Sequence, residues 1–164
     1  VTFGLIGLGL LGLYHYPYAD DSWQRHAMAL YLRSYAWAAG SVLAQIDPVV
    51  TVSGFEIRGR FPIEIMRSCD AAEVQVLVIA AVLAFPVPWR RRLLGLGVGV
   101  GTVSVLNVLR ICSLYFIGLI GPDAFDFAHH DVWPLVLFVL TGLVFLTWAR
   151  WAQGTVREDG AVGS

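Results

Sequence analysis

The sequence predicts an all-α polytopic membrane protein of about four transmembrane helices, with an interfacial helix and a short extracytoplasmic β-hairpin. Three observations predict it. Apolar residues make up 57% of the 164, charged residues 14%, and mean hydropathy is +0.69, a balance rarely met in a soluble domain of this length. The apolar residues fall in separated blocks. The triplet Arg90-Arg91-Arg92 stands at the end of one block, the charge signature of a cytoplasmic membrane face. Length and spacing of the blocks predict one membrane-embedded domain over 1–153, with 154–164 as a disordered cytoplasmic tail. A net charge of −1 offers no basic patch, so nucleic acid is not an expected partner. The two cysteines, Cys69 and Cys112, are too few for a disulfide framework and lack the Cys-x-x-Cys spacing.

The first block, Val1 to Tyr14, is apolar and glycine-rich. No basic residue precedes it and no small-residue cleavage site follows, which predicts a transmembrane helix reaching Tyr18 and not a removable signal. About 18 residues at ~1.5 Å each nearly cross a ~30 Å hydrocarbon core. Ser22 to Gln45 mixes Arg25, His26, Arg33 and Gln45 with Met28, Leu30, Trp37 and Leu43; this suits a helix at the interface or packed in the bundle. Val49 to Val52 and Phe55 to Arg58 flank Ser53-Gly54, a hairpin pattern. Its open edges require a place outside hydrocarbon. Pro62 to Ile65 then leads back to the membrane surface.

Ala71 to Val87 is the second expected span, ended by Pro86 and Pro88. Leu93 to Leu119 is the third, with Gly97 and Gly101 spaced for close approach of another helix. Gly121-Pro122-Asp123 breaks it, Phe125 to His130 reads as an outer loop, and Val132 to Ala149 returns inward, toward Arg150 and Arg157. Four crossings leave both termini in the cytoplasm.

This threading brings three polar residues to the extracytoplasmic face. Cys69 lies at the end of its span opposite the arginine triplet, Arg110 lies ~26 Å along the third span from Leu93, and His129 precedes the last. A thiol at a helix N-terminus near a fixed cation is favoured as thiolate, and a neutral imidazole can act as base. Such a set fits cysteine acyl transfer. Each residue also has a plainer reading: Cys69 as a small packing residue, Arg110 snorkelling to headgroups, and His129 and His130 as ordinary interfacial polar groups. Ser104, Asn107 and Arg110 recur every third residue and form one polar stripe; Asn107 is placed to orient the guanidinium. Cys112 lies about 200° around the helix from Arg110 and is expected in packing. Asp131 beside the two histidines permits a metal site, which ranks low because adjacent histidines do not share a helix face. No cofactor is expected.

The ordered runs Cys69-Asp70-Ala71-Ala72-Glu73, Phe85-Pro86-Val87-Pro88-Trp89-Arg90, Asn107-Val108-Leu109-Arg110-Ile111, and Ala128-His129 with Trp133 four residues on resemble the exosortase/archaeosortase family, with most likeness to exosortase H. The resemblance covers roughly Val49 to Trp151. It implies a multi-pass transpeptidase of the inner (plasma) membrane, with its active site on the extracytoplasmic face. Its partners would be membrane lipids and secreted proteins bearing a C-terminal sorting signal, here of the Ile-Pro-Thr-Leu type. By matching motif it implies Cys69 as nucleophile, Arg110 as second catalytic residue and His129 as third, the histidine being chosen over His130 by its spacing to Trp133. The family commonly carries glycine two residues after the cysteine; this chain has Ala71. Two readings from other classes stand beside it: a non-catalytic membrane assembly or transport subunit with Asn107 and Arg110 lining a polar path, and a thiol-redox protein pairing Cys69 with Cys112.

Overall fold

The computed structural model describes residues 2–16, 23–66 and 71–161, without the side chains of residue 2 and residues 155–161. The elements run α1 (Thr2–His15), α2 (Trp23–Ile46), β1 (Thr51–Ser53), β2 (Glu56–Arg58), β3 (Ile63–Glu64), α3 (Ala72–Ala84), α4 (Trp89–Gly118), α5 (Pro122–Phe127), a π-helical turn (Ala128–Val132) and α6 (Trp133–Ala161). The protein is mostly helical. It divides into two compact units, one of Val1–His15, Ala72–Ser104 and Leu137–Ser164, the other of Tyr16–Ala71 and Val105–Val136. The last turns of α6 fall in the stretch expected as a tail.

In the first unit α1 packs along α3, where a Cβ at Gly7 would come into van der Waals contact with Ala80. α3 stops at Ala84 because Pro86 and Pro88 follow, and a residue before proline is pushed out of the helical region. α4 then starts at once, with the Pro88 carbonyl accepting from the N–H groups of Arg91 and Arg92. Trp148 of α6 donates from Nε1 to the Arg91 carbonyl at 3.2 Å, and Arg91 donates from Nη1 to the Ala152 carbonyl at 3.1 Å. Phe85, Phe145 and Trp148 cluster beside this tie.

The glycines of α4 are used differently from the expectation. Gly97 and Gly101 face open space. Gly95 and Gly99, on another face, are the pair at close approach: a Cβ at Gly95 would strike the Trp148 indole, and one at Gly99 the Val78 side chain. Spacing alone cannot separate two interleaved pairs, since only the neighbouring helix decides which face it covers.

Two helical stretches, Trp89–Gly118 and Pro122–Gly154, are long and apolar enough to cross a membrane. α1 and α3, with 14 and 13 residues, reach ~20 Å, short of a ~30 Å hydrocarbon core. Length therefore supports two of the four expected crossings. Leu94, Val98, Phe138, Leu143 and Leu146 keep half or more of their surface exposed, apolar area that suits lipid contact and would be a liability in water.

In the second unit α2 buries one stripe, Leu32, Tyr35, Ala36, Ala39 and Leu43, at the spacing of a single helix face. Of the two expected placements it takes the packed one, with Arg33 outward over the Phe55 ring at 5.3 Å. The hairpin forms in antiparallel register, Thr51 opposite Arg58 and Ser53 opposite Glu56. Its two-residue turn is Gly54-Phe55, one place later than Ser53-Gly54, because Gly54 takes φ +65° and a II′-type hairpin turn wants that conformation first. A third strand, β3, pairs with β2 and sets Ile63 opposite Ile57. Two residues are too few to display a strand period, so the sequence read them as a plain return. Ile57, Ile63 and Ile65 bury against α2 and against Ile111, Leu114 and Tyr115 of α4.

A buried polar tie locks this unit. Tyr115, fully buried, donates its hydroxyl to Asp47 Oδ2 at 2.9 Å and accepts the Arg60 backbone N–H at 3.0 Å. Arg60 Nε lies 3.3 Å from the same carboxylate oxygen, and Val49 N–H donates to Asp47 Oδ1 at 3.3 Å. Gly59 is required here, since a Cβ would stand 2.6 Å from the tyrosine hydroxyl.

The outer loop expected over Phe125–His130 is helical instead. Gly121-Pro122 does end α4, but proline at the first position starts a helix as readily as it stops one. α5, the π-turn and α6 join with helical backbone at Ala128 and Trp133, so the chain from Pro122 onward is one long helix.

Tyr115→Phe should lower stability by ~1–3 kcal/mol, read by thermal unfolding in detergent, because the buried Asp47 carboxylate loses a donor. Gly95→Ala should destabilise through the rigid Trp148 ring, whereas Gly97→Ala should be neutral or gain ~0.5–1 kcal/mol from helix propensity; equal effects at the two positions would contradict the assigned face.

Candidate active site

Arg110 and His129 are brought together within the second unit. Arg110 is 5% exposed, so its side chain does not snorkel out of the fold. Its Nη2 donates to the His129 carbonyl at 3.4 Å. A guanidinium never discharges at accessible pH, and burial without bonds would be prohibitive; the carbonyl turned toward it supplies part of what water would.

The π-turn controls which histidine faces inward. Trp133 N–H bonds back to the Ala128 carbonyl, one residue further than in an α-helix, and such single turns accommodate an extra residue. His129 is 9% exposed and its ring stacks on Phe125 at 5.5 Å with 13° between planes. His130 is exposed and donates from Nδ1 to the Asp126 carbonyl at 3.1 Å. His129, expected just ahead of the last helix, lies inside it instead, since that helix begins at Pro122, about two turns earlier.

A continuous helix of 33 residues from Pro122 to Gly154 is ~50 Å long and must project from a ~30 Å core. Its first turns, Asp123 to Asp131, carry three aspartates with His129 and His130.

Cys69 lies outside the described residues. In sequence it stands three places ahead of Ala72, the first residue of α3. Ala71, between them, is buried and has φ +54°, the left-handed conformation that glycine adopts freely and alanine adopts at a cost of ~1–2 kcal/mol. Glycine at this position has a backbone reason, independent of substrate approach.

The polar stripe of α4 is only partly a unit. Ser104 accepts a hydrogen bond from Gln75 Nε2 at 3.1 Å in the first unit; the only sequence signal for Gln75 is an amide in a span whose one other polar residue is Glu73. Asn107 is fully buried, and its amide meets no hydrogen-bond partner among the described residues, so it does not orient the guanidinium. Cys112 is buried with its Sγ 3.7 Å from the Ala39 carbonyl, as its thiol donates there. Among the described residues no three potential metal ligands gather.

A family model described as transmembrane exosortase matches residues 3–149. No curated protein and no solved structure matches the chain.

Ala71→Gly should leave thermal stability in detergent equal or raise it by up to ~1 kcal/mol despite the lost methyl, because left-handed strain is relieved. Ala71→Val should lower it, a β-branched residue being a true outlier at positive φ. A clear loss of stability in Ala71→Gly would contradict the strained backbone.

Proposed function

This chain belongs to the transmembrane exosortase family, and from that premise we propose that it is a membrane cysteine transpeptidase acting on C-terminal sorting signals of secreted proteins. The observation that carries the reading is the buried Arg110 held against His129: a permanent cation and an imidazole side by side in a mostly apolar unit. That pairing matches the needs of acyl transfer, where negative charge develops on a carbonyl oxygen and a proton must move nearby.

The proposed reaction starts with Cys69. Its thiol proton passes to His129, and the thiolate adds to the scissile carbonyl while Arg110 steadies the oxyanion. Collapse breaks the C–N bond, the leaving amine takes the proton from the imidazolium, and a thioester on Cys69 remains. An acceptor amine then attacks the thioester and gives its proton to neutral His129; the C–S bond breaks as the new amide forms, and the departing Cys69 thiolate takes that proton back from the imidazolium. Substrates carry an Ile-Pro-Thr-Leu type motif, an apolar helix and a basic tail that stays cytoplasmic, with catalysis on the extracytoplasmic face of the inner membrane.

A secreted reporter with such a signal, expressed with this chain or its variants, tests the proposal by gel mobility. Processing should be lost with Cys69→Ala, fall at least ~100-fold with Arg110→Gln, since one lost oxyanion donor costs about that, and persist with Cys112→Ala. Full processing by Cys69→Ala would remove the enzyme reading. Equal loss in both cysteine variants, together with a mobility shift under non-reducing conditions, would favour a Cys69–Cys112 redox pair.

A further inference from the structure

Asn107 is the residue that neither the fold nor the proposed chemistry uses. Its side chain is wholly enclosed, and both the carbonyl oxygen Oδ1 and the amine Nδ2 lack hydrogen-bond partners among the described residues. A buried amide with all its bonds unmade is destabilising, and apolar side chains of the same shape fit a helix at such a place without that cost. An unmet donor and acceptor, held side by side in a plane, are complementary to the N–H and C=O of one residue in an extended chain, which point the same way as in a β-ladder.

The place of Asn107 says which peptide group. It lies one turn of α4 before Arg110 and on the same face, ~4.5 Å along the axis, and toward the end of α4 marked cytoplasmic by Arg90-Arg91-Arg92. A chain in extended conformation advances ~3.3 Å per residue. When Arg110 meets the carbonyl under attack, Asn107 is therefore level with the backbone of the neighbouring residue one step deeper, and the side chains that enclose the amide part as the two pair.

Resting on the transpeptidase reading, we propose that Asn107 is a substrate-positioning residue whose amide pairs with the backbone of the sorting signal on the leaving-group side of the scissile bond. It recognises polypeptide backbone, not a side chain, and it holds that segment unwound where the apolar helix of the signal begins. Among the described residues the amide is left unbonded, and the bound peptide completes it.

The test compares Cys69→Ala with Cys69→Ala/Asn107→Leu in the full chain in detergent. The probe is a synthetic peptide of the Ile-Pro-Thr-Leu motif, apolar helix and basic tail, and both binding and thermal unfolding are measured. The double variant should bind at least ten-fold more weakly while unfolding at an equal or higher temperature. N-methylation of the peptide nitrogen just after the scissile bond should weaken binding to the single variant and make little further difference to the double one. Unchanged binding in Asn107→Leu overturns the proposal. So does a lower unfolding temperature or failure to fold, which would show the amide to be structural. If Cys69→Ala itself does not retain the probe, the sorting-signal reading fails first and this inference with it, an outcome distinct from the other two.

Discussion

The hydrogen bond from Tyr115 to Asp47 organises everything around the candidate site. It joins α4 to the junction of α2 and β1, and the Arg60 backbone bound to the same hydroxyl adds the segment between β2 and β3. Tyr115 is five residues beyond Arg110 on α4, so the tie that seats the sheet also sets the rotation of the helix that carries the guanidinium. Its strength comes from burial: a carboxylate and a phenol removed from water bond more firmly than they would outside, and either alone would be costly. Gly59 follows from the tie, as the only residue small enough to lie beside that hydroxyl.

Around this anchor the polar groups of α4 meet different fates. Tyr115 is satisfied by a distant carboxylate, Arg110 reaches a backbone carbonyl made available on the π-turned helix, and Asn107 stays unbonded among the described residues. Three polar residues of α4 thus divide into a structural group, a charged group held in position, and an amide with no hydrogen bond among the described residues. Consistent local choices are the rule in a well-folded chain, and the exceptions gather where function is found. The positive φ at Ala71 is another such exception, two residues from Cys69.

Membrane character and site both trace to the same economy of polar groups. Along α4 and α6 about half of the large apolar side chains stay exposed, as lipid permits, while Asn107, Arg110 and Thr141 are buried. The sheet is short, has open edges, and packs its isoleucines on α2 and α4, which is the arrangement expected of β-structure kept clear of hydrocarbon.

Much was legible in the order of residues. Apolar block lengths, the arginine triplet and the proline pairs determined that the chain is a mostly helical membrane protein and where α3 and α4 meet, because hydrophobic length and missing N–H groups act locally. The motifs around Cys69, Arg110 and His129 determined the family. Only tertiary structure decided that Gly95 and Gly99, not Gly97 and Gly101, receive a neighbour, that Pro122 opens a helix where a loop was expected, that His129 turns inward while His130 turns out, and that Asn107 leaves Arg110 alone. In each case two local alternatives were close in energy. The choice rested on which side chain from a distant segment filled the space or made the bond, and no window along the chain contains that information.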